Sequence, residues 1–458
     1  MQKDWAYNEL YGAKLWDPRC TKTLISAVQS LAEHPELSFS RVLGSRRKAV
    51  SRILHHPKTQ AHDLLKGHIQ ATQLRCQHQD FVLVASDTTD ADFSSHPATQ
   101  GLGPLHDRYK YRGFLIHSAL AMTPEGIPLG LLSQRSWVRE EKTQFSDKAL
   151  RQRAFTDKES YKWLQAQKDV EAAVPASVKL LLIQDREADV FDFLAAKRGQ
   201  NTALLIRATQ PRLIQTTHPD GPRTLFAAVA PAPVVATLRV AVRARPDRPA
   251  REAHLSLRMV SVAIRPPQHG RATSPDPVPV RVVRATEETP PEGVKQPLEW
   301  LLVTTLPVPD AQAAVAVVGY YAKRWVIERF HYVLKSGCRL ERLQLDTFTS
   351  LEKAVSLYSI VAWRLLYLTY LAREAPDTAV AEVLSAVERD VLELATGLAI
   401  TTVAEAVMAV ARIAGFRPVP SAPTPGVKSL WMGFRQLNHM VVGFLLARRP
   451  PPGLKGQD

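Results

Sequence analysis

The sequence predicts an α/β protein, a mixed sheet core with helical segments at both ends and a β-rich insertion, and three observations carry that prediction. Phe81-Val82-Leu83-Val84-Ala85, Lys179-Leu180-Leu181-Leu182-Ile183 and Ala203 to Ile206 are short apolar runs of the kind buried in a sheet, with a helical pattern from Lys158 to Ala173 between the first two. The stretches from Glu9 to Cys76 and beyond Arg373 read as helical, and the first is cut by turn signals such as Asp17-Pro18 and His56-Pro57. Between about Leu213 and Pro297 the texture becomes Pro-rich loops around alternating segments such as Leu238-Arg239-Val240-Ala241-Val242-Arg243, with apolar and basic residues on opposite strand faces.

Five regions follow in order. Residues 1–78 form a helical N-terminal domain. Residues 79–212 form the first part of the core, opening with the first apolar run, which stops at Ser86-Asp87-Thr88-Thr89. Two more strands, around Tyr111 to Met122 and Ile127 to Val138, are joined by a Pro124-Glu125-Gly126 turn. The second run closes in Gln184-Asp185-Arg186-Glu187-Ala188-Asp189 and the third in Arg207. Residues 213–297 are the insertion, whose arginines read as a solvated sheet face. Residues 298–373 resume the core with a strand from Glu299 to Thr305 and one long helix from near Pro309-Asp310. Residues 374–458 are helical, with a Ser421-to-Gly426 linker before an amphipathic segment, Val427 to Arg448.

The 458 residues are 45 % hydrophobic and 22 % charged, which excludes collagen, coiled coil and wholesale disorder. Lys and Arg number 59 against 44 Asp and Glu, a formal charge of +15, so an acidic polymer, nucleic acid before a membrane surface, is the expected partner. Arg41, Arg46, Arg47, Lys48 and Arg52 concentrate that charge within about three helical turns, a phosphate-gripping footprint or a solvated face. Cys20, Cys76 and Cys338 are too few and too dispersed for a disulfide framework or zinc site, which points to a reducing cytoplasm. Met1 to Trp16 lacks the apolar core of a secretion signal, and Leu357 to Leu371, interrupted by Arg364, is too short to span a bilayer.

Three acids stand where chemistry is expected. Asp87 and Asp185 each follow a buried strand, and Glu328 lies in the helix after the last core strand. Each alone could be a turn or cap residue. Brought together, three carboxylates repel unless a divalent cation neutralises them, and oxygen ligands without a His/Cys cluster select Mg²⁺ or Mn²⁺. At about 100° per residue, Tyr321, Arg324, Glu328 and Lys335 share one face of a regular helix within about 60°, with Val326, Ile327, Phe330, Val333 and Leu334 opposite. One possible metal ligand thus sits among three phosphate-binding groups. Trp325 is placed in the core or as a supporting contact, and His331 in a packing or hydrogen-bonding role.

Tyr321-x2-Arg324-x3-Glu328-x6-Lys335 resembles the YREK signature of DDE transposases of the insertion-sequence-four family. Asp87-Thr88-Thr89 and Asp185-Arg186-Glu187-Ala188-Asp189 resemble that family's two aspartate motifs, in the right order. The resemblance implies an RNase H-like core, an N-terminal domain that reads transposon ends, and C-terminal dimerisation helices. By the resemblance, Asp87, Asp185 and Glu328 hold Mg²⁺, for which Mn²⁺ substitutes, and Tyr321, Arg324 and Lys335 hold DNA phosphate. Trp300 resembles the tryptophan that receives an unstacked base, although a buried strand tryptophan would look the same. Arg207 and Arg212 resemble DNA-gripping residues near the site, Arg19 and Lys22 resemble end-contacting residues of the N-terminal domain, and Arg46 and Arg47 belong to the basic stretch suited to gripping phosphates.

The implied activity is cut-and-paste transposition in the bacterial cytoplasm, with the protein on the nucleoid when DNA-bound. It runs from 3′-end hydrolysis through a hairpin to strand transfer, by a homodimer on terminal inverted repeats and target DNA. Two other readings stay open: a non-catalytic DNA-binding relative, domesticated or inhibitory, and another RNase H-like nuclease.

Overall fold

The computed structural model describes residues 5–33, 39–105, 110–140, 153–216, 220–242, 250–267, 274–294, 296–420 and 423–448. Arg243, Ser421, Ala422 and the first four residues lie outside them. The N-terminal part is helical: α1 (Trp5–Leu10), α2 (Pro18–Glu33), α3 (Phe39–Leu43), α4 (Arg47–His55) and α5 (Ala61–Gln77). Gly44, at φ +48°, and a short tight turn separate α3 from α4, so the five basic residues do not run along one helix. Arg41, Arg46, Arg47, Lys48 and Arg52 are all exposed.

The sheet follows. β1 (Phe81–Asp92), β2 (Gly103–Pro104), β3 (Arg112–Met122) and β4 (Pro128–Trp137) precede α6 (Tyr161–Ala173), β5 (Lys179–Gln184), α7 (Phe191–Ala195) and β6 (Thr202–Arg207). Next come α8 (Leu225–Val229), β7 (Val234–Val242), β8 (Arg251–Ile264), β9 (Val278–Thr286) and β10 (Glu299–Thr304). The chain ends in α9 (Ala311–Ala322), α10 (Trp325–Tyr332), α11 (Phe348–Glu374), α12 (Ala386–Thr396), α13 (Val403–Ile413) and α14 (Val427–Ala447).

Ten strands pair into one sheet, with β4 and the short β2 on one edge of β3 and then β1, β5, β6, β10, β9, β8 and β7 in that order. β3 is antiparallel to both of its neighbours β4 and β1, whereas β1, β5 and β6 are parallel. A three-strand meander followed by two parallel strands is the arrangement of an RNase H-like core. The β region 213–297 is not a separate sheet: β9 pairs with β10 and carries the same sheet outward.

Alternation along the strands sends side chains to two cores. Leu83, Leu181 and Ile116 face the N-terminal helices and α9 to α11; Val82, Leu182 and Ala119 face α6 to α8. Helix α11 runs through the first core with most of its residues buried. It extends past the apolar stretch read from sequence because Thr347 caps its start, accepting from the Ser350 N–H at 3.2 Å. By length and apolarity it could cross a membrane, but here it is a core helix. Its Lys353, 3 % exposed, donates to the Leu54 and His56 carbonyls at the end of α4, giving those orphan acceptors a partner.

A buried polar knot fixes α1 and α5 to β4. His68 Nδ1 lies 2.5 Å from Glu9 Oε1, and Arg75 donates to both Glu9 oxygens at 2.8 and 3.0 Å. The Leu131 N–H donates to His68 Nε2, so that nitrogen carries no proton and the ring is neutral, in line with burial pushing its pKa down. Gly130 follows the same contact: at φ +143° a β-carbon would stand 1.9 Å from Thr72 Oγ1.

Burial alone would raise the Glu9 pKa, but His68 and Arg75 outweigh it and hold the carboxyl at about 2. A depressed acid contributes stability that is present above the ordinary value of 4.5 and is lost as pH falls towards 2. Urea midpoints should therefore fall more steeply between pH 5 and 2 in the wild type than in Glu9→Gln. Parallel slopes would exclude Glu9 as a source of acid lability.

Candidate active site

Asp87 lies within β1, opposite Ser118, and β1 continues to Asp92. The sequence suggested that the strand stops at Ser86; instead the antiparallel ladder with β3 satisfies the backbone of the polar residues. Parallel pairing with β5 does end there, at Ala85 with Ile183. Asp87 is thus at the edge where one neighbour departs, on the same face as Leu83 and Ala85 and towards α10. Asp185, next after β5, continues the face of Leu181 and Ile183.

Arg324, immediately before α10, ties two acids together. Its guanidinium is paired with Glu328 and lies 3.9 Å from Asp87 Oδ2, and the residue is only 8 % exposed. Burial, with the charges of Asp185 and Glu328, pushes Asp87 up to about 7 even though Arg324 opposes the shift. Burial likewise raises Asp185. His331, also buried, has Nδ1 3.8 Å from Asp87 Oδ2, and Nε2 has no partner. Burial, with Lys335 and Arg324 nearby, lowers its pKa to about 3, so it stands beside Asp87 as a neutral ring.

The expected single helix is interrupted. After α9 the Arg324, Val326 and Ile327 N–H groups bond three residues back, a tighter turn than the α form, and after α10 a wider π turn spans Val333–Gly337. The common face computed for a regular helix therefore does not persist to Lys335. That ammonium pairs with Asp90 at 2.9 Å and Glu341 at 3.1 Å, while Arg324 pairs with Glu328 and Asp87. Tyr321, 5 % exposed, lies close enough to Arg324 to feel its charge, and burial raises its pKa.

The loop after β5 is held from below. Asp185 Oδ1 accepts from the Glu187 N–H at 2.8 Å, so this acid also caps a short turn. Asp189, its side chain 3 % exposed, accepts from the Thr209 and Gln210 N–H groups and from Arg212 at 2.8 Å. Arg212 is thereby an internal brace for the segment after β6, where sequence suggested a DNA-gripping residue. Lys162, not singled out from sequence, is buried between Glu187 at 3.3 Å and Glu159 at 3.7 Å, beside the Trp137 and Trp163 rings. An ordinary amphipathic helix pattern conceals it.

Trp300 on β10 is half-buried and meets Tyr321 edge-on at 5.4 Å. Arg207 donates to the Glu299 carbonyl at 3.2 Å on the same side. Trp325, expected in the core or as a support, is 47 % exposed, with the Arg324 guanidinium 5.7 Å from its ring. Far from this cluster in sequence, Arg19 is exposed and paired with Asp17 at 2.9 Å, Lys22 and Arg47 are exposed, and Arg46 donates to Ser30 at 2.8 Å.

Among the described residues no three His, Cys, Asp or Glu side chains are gathered as a metal-coordinating group. The acids converge as a charge cluster with a guanidinium between two of them. The donor chemistry nevertheless suits a hard divalent cation, since the carboxylate burden that raises Asp87 is what such an ion relieves.

An RNase H-like sheet with acids from β1, the β5 end and α10 defines a candidate catalytic edge. Residues 136–364, half of the chain, match the transposase DDE domain family, and the chain belongs to that family. It is an enzyme of the DDE transposase class, whose members generally use divalent metal ions. The match includes Asp185, Tyr321, Arg324 and Glu328, while Asp87 lies upstream of it. A solved structure, the cryo-EM structure of piggyBac transposase synaptic complex with hairpin DNA, is similar over 99 % of this chain and 75 % of that chain, at 8 % identity and a TM-score of 0.34.

Proposed function

We propose that the chain is a cut-and-paste DNA transposase of the insertion-sequence-four type, acting as a homodimer on paired transposon ends. The observation that carries this reading is the meeting of Asp87, Arg324, Glu328 and His331 from segments more than 200 residues apart, with the charge of Asp185 acting on the same point. Asp87, Asp185 and Glu328 would hold Mg²⁺, or Mn²⁺ in its place, and a bound pair of ions would stabilise the entering and leaving oxygens of an in-line displacement. Glu328 is available for that role once Arg324 turns from it to a DNA phosphate. Tyr321, buried beside Arg324, helps to hold that side chain near the site, and Arg207 adds positive charge beside Tyr321. Trp300, against Tyr321, receives the base unstacked at a hairpin bend. The helices of 1–78, with Arg19, Lys22, Arg46 and Arg47 on or near their exposed faces, read the transposon end, and 374–458 dimerises. Residues 79–212 and 298–373 supply the catalytic core, with 213–297 as its β extension.

The test is incubation of an end-labelled duplex, carrying the ends of the element that encodes the chain, with Mg²⁺. A 3′ nick followed by a hairpin is expected, with Lys335→Ala depressing the hairpin more than the nick. Nicks that never mature to hairpins would leave a nuclease of another type, and binding without any cut would leave a non-catalytic relative.

A further inference from the structure

Helix α10 carries a second, outward face that the acid cluster does not use. Trp325 is 47 % and Tyr332 55 % exposed, and Arg329 between them is exposed as well. At about 100° per residue these three fall within about 60° of one another, and Glu328 lies only about 40° further round. Each ring has a guanidinium beside it: Arg324 at 5.7 Å from the Trp325 centroid and Arg329 at 5.1 Å from that of Tyr332. Beyond Tyr332, where the π turn ends the regular face, Ser336 and Arg339 are exposed as well. Arg339 has φ +52°, the one positive value at a non-glycine residue among those described. Arg339, Arg342, Ser94, Ser95 and Ser336 line a cleft of ≈ 660 Å³ at that end. Its acids are already engaged, Asp92 by Ser94 and Glu341 by Lys335.

Two large aromatic rings left in water, alternating with arginines, suit a ligand that has flat apolar faces strung on an anionic backbone. We propose that this row is a binding track for unpaired DNA leaving the acid cluster, with bases on Trp325 and Tyr332 and phosphates on Arg329, Arg339 and Arg342. The distance from Trp325 to Tyr332, seven residues at about 1.5 Å, is about 10 Å, the length of about three stacked nucleotides at 3.4 Å. Duplex DNA would offer its phosphates but not its base faces, so the rings select a single strand. The adjoining acid cluster supplies the reason for one to be present, and to that extent the inference rests on the proposed DNA chemistry.

The probe is a twelve-nucleotide oligothymidylate, with binding to the full-length protein followed by fluorescence anisotropy in the absence of divalent metal. Trp325→Ala and Tyr332→Ala should each weaken binding about tenfold or more, and Trp325→Phe and Tyr332→Phe, which keep a ring, should restore most of it. Arg329→Ala should lower the slope of log affinity against log salt by about 0.7, one phosphate contact. Both aromatic side chains are exposed, so melting temperatures should match the wild type and separate lost binding from lost fold. Undetectable wild-type binding would overturn the proposal, as would alanine variants that bind normally. So would variants that instead alter the oligomeric state, which would make the row a contact between copies. Because cleavage is not measured, failure here leaves the duplex-cutting assay as an independent judge of the catalytic reading.

Discussion

Asp87→Asn, Asp185→Asn and Glu328→Gln should each reduce cleavage of an end duplex by about 10³-fold or more while end binding stays within a few-fold of wild type. A charge cluster that carries the reaction supplies several kcal/mol at the transition state, and each 1.36 kcal/mol is tenfold in rate. The three substitutions should differ in their effect on the fold, which separates a functional loss from a structural one. Burial and the neighbouring acids raise Asp87 to about 7 from 3.8. The folded state therefore binds that proton more tightly than the unfolded one, and ionisation costs stability that accumulates as pH rises from about 4 to about 7. At pH 8 the neutral Asp87→Asn chain should melt at the wild-type temperature or above it, inactive but no less stable. Asp185→Asn keeps an oxygen to cap the turn at Glu187 and should melt near wild type. Glu328→Gln weakens the pair with Arg324 and should melt slightly lower. Cleavage retained in any of the three would remove that residue from the chemistry. Lost end binding at unchanged turnover per bound complex would reassign it to DNA contact.

Arg212→Ala should destabilise the protein by roughly 3–5 kcal/mol, because it strands the almost fully buried Asp189 carboxylate without its cation. Asp189 also gathers the Thr209 and Gln210 N–H groups, so its loss of balance loosens the segment after β6 and the loop that carries Asp185. Urea unfolding measures the effect, and Arg212→Lys, which restores a charge but not the fork, should recover only part of it. Unchanged stability with weaker, less salt-dependent DNA binding would make Arg212 a phosphate contact after all.

Much of the architecture can be read from local pattern. The apolar runs at Phe81, Lys179 and Ala203 become β1, β5 and β6, and Asp310 caps α9 by accepting from the Ala313 N–H at 2.8 Å. The Pro124-Glu125-Gly126 turn is in place, with Gly126 at φ +100°. What pattern hides is whatever depends on partners distant in sequence. Polar residues after Ala85 look like a strand end, yet β3 sustains them, and Thr88 Oγ1 lies 2.9 Å from His117 Nδ1 on the neighbouring strand. The break before α10 changes only the hydrogen-bond spacing while Lys323 and Arg324 keep helical torsions, so no residue marks it. Arg212 and Lys162 look like surface charges because their counter-ions, Asp189 and Glu187, come from other segments. Trp325, next to Val326 and Ile327, shares their apolarity but not their face, and only the packed helix shows that it points outward.

We propose above that Asp87, Asp185 and Glu328 form one divalent-cation site that Arg324 occupies until it turns away. Anomalous diffraction at the manganese edge from crystals of the full chain grown with Mn²⁺ tests it most directly. Manganese density bonded to oxygens of all three carboxylates, with the Arg324 guanidinium displaced from Glu328, is the expected result. Manganese elsewhere on the chain, or none while Arg324 remains paired with Glu328, would contradict it.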